Sequence, residues 1–146
     1  MTLTKLEVAT RQLDVAIRLF LEGDYLSSLT LAGAAEEILG RLSEKAGLPV
    51  AVDQIAKFHW DDMDASLQES ERKRILLRVL NGPRNSAKHA NDPEEAEFDV
   101  DPDFSLQMIM RAMPMARSLG SPLSREDDMV RIVSNYLRGV MTCDRP

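Results

Sequence analysis

Arg84 and His89 stand five residues apart in the stretch Asn81-Gly82-Pro83-Arg84-Asn85-Ser86-Ala87-Lys88-His89. Arginine is permanently cationic and its planar fork matches phosphate oxygens. Histidine is the side chain best suited to move a proton near neutral pH. Together the two residue types could cleave RNA without a metal. The imidazole would take or give the proton at the 2′-hydroxyl or at the leaving oxygen. The guanidinium would stabilise charge gathering at phosphorus, and Asn85 could orient the phosphate or the attacking hydroxyl. An offset of five turns two side chains about 140° apart on a regular helix. For both to meet one phosphate, the backbone must deviate or long side chains must converge. The sequence Asn81-Gly82-Pro83 reads as a turn or kink that permits the first, with Pro83 opening the next helical turn.

Charge is concentrated around this segment. From Arg72 to His89 there are six basic residues (Arg72, Lys73, Arg74, Arg78, Arg84 and Lys88) and no acidic one. The chain as a whole carries −6, so the window at +6 leaves −12 on the remainder. The average argues against a general nucleic-acid binder, and the local excess suits a phosphate site. The alternative is a solvated basic helix face.

Other chemistries find little support. There is no glycine-rich phosphate loop, no His-x-x-x-His and no Cys-x-x-Cys, so no metal or cofactor is expected. Asp61, Asp62 and Asp64 read as a solvated acidic connector rather than a cation site. His59 reads as a packing or surface histidine. Cys143, the single cysteine, excludes an intrachain disulfide and is a poor candidate nucleophile. Met108, Met110, Met113 and Met115 could form a partner groove, but core filling is the more usual use of methionine. No signal-peptide-like run and no membrane-length apolar span is present. The expected location is the cytoplasm.

The elements that must hold the Arg/His segment are helical throughout. Leu13, Ala16, Ile17, Phe20 and Leu21 share one helical face within residues 3–22, and Gly23 ends that helix. Asp24 is placed to cap a second helix to about Ala46. That helix carries a main stripe (Leu31, Ala35, Ile38, Leu42, Ala46) and a smaller face (Leu29, Ala32, Gly33, Glu36, Gly40). Two buried faces make it central to a bundle, and small residues let a neighbour approach closely. A short helix is expected around Val52–Phe58, then a helix from Leu67 to Leu80 with Ile75, Leu76, Val79 and Leu80 inward. Asn91-Asp92-Pro93 is a break before an acidic loop. Asp101-Pro102 should open a helix kinked at Pro114 and closed by Gly120. Ser124 to Asp127 resembles a capping box for the last helix. The expected fold class is all-α: an antiparallel up-down bundle of four to five main helices, in one domain over residues 1–146 with 142–146 a loose tail.

Two segments together resemble the HEPN superfamily (higher eukaryotes and prokaryotes nucleotide-binding). They are "RLFLEGDYLSSLTLAGAAEEILGRL" at residues 18–42 and "RNSAKH" at 84–89. The first matches a helix ending at a Gly-Asp-Tyr turn, followed by a helix rich in small residues with an acidic position. The second matches Arg, a polar residue, a few more residues, then His. The resemblance covers roughly residues 3–92. It implies a HEPN-like bundle working as a homodimer, with the Arg/His motifs of two protomers meeting in a cleft. Many members are metal-independent endoribonucleases, often toxins or defence effectors with an antitoxin or other protein partner. Others are inactive modules that bind a protein or nucleotide. By position, Arg84, Asn85 and His89 carry over as catalytic, and Glu36 carries over as orienting Arg84 or pairing with a basic side chain. Lys88 and Arg78 are the accompanying candidates for substrate binding. No tyrosine lies just after His89, where some toxin branches carry one for modification by a partner enzyme, so that partnership is not expected.

Overall fold

The computed structural model describes residues 1–89, 94, 96–121 and 123–143, the last four of these by backbone alone. The described residues form six α-helices and a short 3-10 helix, with no strand. They are α1 (Lys5–Glu22), α2 (Tyr25–Lys45), α3 (Ala51–Phe58), α4 (Glu69–Ser86), α5 (Pro102–Ser118) and α6 (Glu126–Cys143), with the 3-10 turn at Trp60–Asp62. The expected break at Asn91-Asp92-Pro93, the side chain of Cys143 and residues 144–146 of the expected tail lie outside the described residues. Residues 142 and 143, also assigned to that tail, belong to α6.

Local chemistry sets the helix ends. Thr4 and Glu7 form a reciprocal capping box at the start of α1. At its end Gly23 takes a left-handed conformation, φ 86°, that a side chain would oppose. Asp24 accepts from the Ser27 amide and so caps α2 as its position implies. Asp101 likewise caps α5, with Pro102 in the first turn where no amide partner is needed. At α6 the expected capping box is not formed. The helix starts at Glu126, and the Ser124 amide donates instead to Asp14 of α1.

The core lies between α1, α2 and α5. Leu13, Ile17, Leu29, Leu39, Met108 and Ile109 are fully enclosed there, and Met129 joins from α6. Alanines at 16, 32, 35, 112 and 116 let the backbones approach. A short polar chain ties the three helices: Ser105 donates to Ser28 at 2.5 Å, and Ser28 donates to the Ala16 carbonyl at 2.8 Å. Ser28–Ser105 and Glu36–Arg111 pair in ascending order, so α2 and α5 run the same way. Contacts from Arg84 to Gly33 and from Asn81 and Leu80 to the Glu36 level show α4 running against them.

Two expectations are corrected. First, α4 is continuous from Glu69 to Ser86, through Asn81-Gly82-Pro83. Pro83 removes only the bond to one carbonyl near the end of the helix, and the neighbouring Leu80 carbonyl accepts from Arg111. Second, Val79 is 69% exposed and faces solvent, because the inward sector of α4 is taken by Leu76, Leu77, Leu80 and Arg84. Helix α5 continues past Pro114 to Ser118, with Met108 and Met115 in the core and Met110 exposed. Those two methionines fill space rather than lining a groove.

Candidate functional site: a shared carboxylate under the end of helix α4

Arg84 lies in the last turn of α4 and points inward. It is only 9% exposed, and its stem crosses α2 over Gly33. A Cβ at residue 33 would stand 2.4 Å from Arg84 Cγ and 2.5 Å from Cδ. Only glycine leaves this notch. The guanidinium donates through Nη1 to Glu36 Oε2 at 3.0 Å and to the Gly33 carbonyl at 3.4 Å. Glu37 Oε2 stands 3.9 Å away on the exposed side.

The other oxygen of Glu36 holds a second arginine. Arg111 of α5 donates through Nη2 to Glu36 Oε1 at 2.7 Å and to Asn81 Oδ1 at 3.0 Å. Its Nη1 donates to the Leu80 carbonyl at 2.9 Å. Glu36 and Arg111 are 4% and 6% exposed. One buried carboxylate therefore clamps three helices and fixes the last turns of α4. Sequence reading had singled out Glu36 and Arg84 but not Arg111. The signal was available, since Arg111 shares the helical face of Met108, Ala112 and Met115, and a cation on an apolar face needs a buried partner.

The remaining residues of the motif lie on the outside. Asn85 is exposed. His89 follows the helix end, its amide bonded to the Asn85 carbonyl, and its side chain is exposed. Arg78 is exposed, and Lys88 is half-buried. The structure thus brings Arg84 together with Glu36, and leaves Asn85 and His89 exposed to solvent at the same chain end. Burial, then the Arg84 charge, lowers the Lys88 pKa. The carboxylates of Glu37 and Glu36 act in the opposite direction. The sign for stability is the reverse of a salt-bridged lysine. The protonated form is disfavoured in the fold, so stability should rise as pH climbs from the lowered folded value toward about 10.4, the free value. Alkaline denaturation series of wild type and Lys88→Met should show that rise in the first and not in the second.

A cavity of about 300 Å³ opens beside the clamp, between Arg84, Arg111, Leu77, Gly40 and Val50. Its lining holds four acidic and four basic groups, which balance, so it has no preference for a polyanion. His89 and Asn85 are not part of it. Among the described residues no acidic or histidine cluster could hold a metal ion. Asp64 accepts from the Ser66 amide and Asp62 from His59, which is exposed as expected. No helix of the described residues is long and apolar enough to cross a membrane.

No family model, curated protein or solved structure matches the chain. The reading of its function rests on the residues above.

The notch gives a sharp test of the clamp. Gly33→Ala should destabilise by about 1–3 kcal/mol through overpacking, despite the roughly 1 kcal/mol alanine gains over glycine in a helix. In an Arg84→Ala background the same change should become stabilising. Denaturant titrations of the four proteins measure that change of sign.

Proposed function

We propose that the chain is a HEPN-like up-down helical bundle that cleaves RNA without a metal, as a homodimer whose two α4 ends form a common cleft. The observation that carries this reading is the pairing of an exposed His89 and Asn85 with a rigidly held helix end, one turn beyond the Glu36–Arg84 contact. The imidazole of His89 removes the proton of a ribose 2′-hydroxyl. The freed oxygen attacks the adjacent phosphorus, the bond to the 5′-oxygen breaks, and an imidazolium returns the proton to that oxygen. The products are a 2′,3′-cyclic phosphate and a 5′-hydroxyl. Asn85 orients the phosphate, and Lys88 and Arg78 attract the strand. Arg84, committed to Glu36 in each subunit, is here a positioning residue that adds positive field from beneath. Such an activity would suit a toxin or defence component restrained by a protein partner.

The test is incubation of the purified protein with mixed RNA in excess chelator, followed by analysis of the ends. Cyclic phosphates that disappear with His89→Ala support the reading. Intact RNA at high protein, or equal cleavage by His89→Ala, removes it.

One observation favours a second reading. The deep burial of Arg84 is what a purely structural lock requires, and this fits a non-catalytic HEPN-like module that binds a protein partner or nucleotide. A stable complex recovered from cells, with no cleavage and no copurifying RNA, would decide for it.

A further inference from the structure

The six basic residues of the 72–89 window do not act alike. Arg72 donates to the Leu67 and Ala65 carbonyls and stacks over Trp60, with its guanidinium 5.3 Å from the ring centre. Lys73 pairs with Asp53 of α3 at 3.8 Å. Arg84 is buried on Glu36. That leaves Arg74, Arg78 and Lys88 for the solvent. Arg78 has no ion pair or hydrogen bond among the described residues, and Arg74 has only a loose pair with Glu71 at 3.5 Å, both side chains largely exposed.

Arg74, Arg78 and Asn85 are all exposed, at intervals of four and seven residues. On an α-helix those intervals rotate by about 40° and 20° from Arg74, so the three share one face. The two arginines are separated by about 6 Å along the axis, a step comparable with one nucleotide of an extended strand. The row ends at Asn85, whose carbonyl accepts from the His89 amide. It lies about 80–120° around α4 from Arg84, so the two arginines stay exposed while Arg84 turns into the clamp.

We propose that the outer face of α4 is a track for single-stranded RNA, in which Arg74 and Arg78 hold successive backbone phosphates and deliver the strand to Asn85 and His89. The proposal rests on the RNA-directed reading above and assigns Arg74 a role that the motif does not contain. It also removes Arg84 from direct phosphate contact. Cationic rows that follow the backbone are how proteins hold single strands without reading sequence.

The experiment is binding of a 2′-O-methyl oligonucleotide, which cannot undergo the cleavage, across a salt series. Each phosphate neutralised on a single strand contributes about −0.7 to the slope of log K against log salt. Arg74→Gln and Arg78→Gln should each reduce the slope by about 0.7, and the double variant by about 1.4. Arg18→Gln on α1, an exposed arginine paired with Glu22, should leave it unchanged. Both α4 variants replace surface side chains, and circular dichroism will confirm their fold. An unchanged slope in the double variant, an equal loss with Arg18→Gln, or no binding by wild type would overturn the track, as would equal or tighter binding of duplex DNA. Cleavage of ordinary RNA is scored separately. Binding with the expected slopes but no cleavage leaves the track standing and removes the nuclease, and cleavage with an unchanged slope does the reverse.

Discussion

Glu36→Ala should lower the stability of the protein by about 3–5 kcal/mol, the cost of leaving buried charge without its partner. Natural domains hold only about 5–15 kcal/mol in total, so this single change should bring the protein close to unfolding. The size of the effect follows from the sharing. Arg84 and Arg111 reach different oxygens of one carboxylate, at 3.0 and 2.7 Å, from different helices. Removing it strands two guanidinium groups at once and releases the α2–α4 and α2–α5 contacts. Glu37→Ala is the control. Its carboxylate is exposed and 3.9 Å from Arg84, so its loss should cost less than about 1 kcal/mol. Replacing Glu36, Arg84 and Arg111 together by Leu, Met and Met should recover much of the stability, because the desolvation of all three charges is removed with the attraction. Urea titrations measure all of these. A loss below 1 kcal/mol for Glu36→Ala would mean that the cluster is not a clamp.

The second large effect is on activity. His89→Ala should reduce metal-free RNA cleavage by about 10²- to 10⁴-fold, the usual contribution of a positioned acid or base. Thermal stability should stay within about 0.5 kcal/mol of wild type, as for surface substitutions generally, since the His89 side chain is exposed. Arg84→Ala should differ in kind. It lowers stability and activity together, because it leaves Glu36 half-paired and loosens the chain end that carries His89. Initial rates under chelator, read beside melting curves, separate these two patterns.

The helices were legible because their punctuation is local. Gly23, Asp24, Gly47-Leu48-Pro49 and Asp101-Pro102 act through their own backbone and neighbours, and each ends or starts a helix where its chemistry dictates. Asn81-Gly82-Pro83 misled because its fate is decided elsewhere in the chain. The Leu80 carbonyl and the Asn81 side chain are both taken by Arg111, 30 or so residues away, and this supports a helix that local propensity would break. Arg84 and His89 were found by type and spacing. Arg84 turns inward while His89 stays exposed because Gly33, lacking a side chain, admits the Arg84 stem into the interior. The small face of α2 pointed to close approach by a neighbouring helix. That the approaching group would be a side chain from α4 depends on tertiary packing and was not written in the spacing.

Placement of RNA at the end of α4 can be measured directly, because the chain has two histidines, His59 just after α3 and His89 just after α4. Imidazole resonances of His59 and His89, recorded while a 2′-O-methyl oligonucleotide is added, distinguish the two positions. Saturable movement of the His89 signals with His59 unmoved is the predicted result. Movement of His59 alone, or of neither at saturating RNA, would contradict the assignment of this surface to RNA.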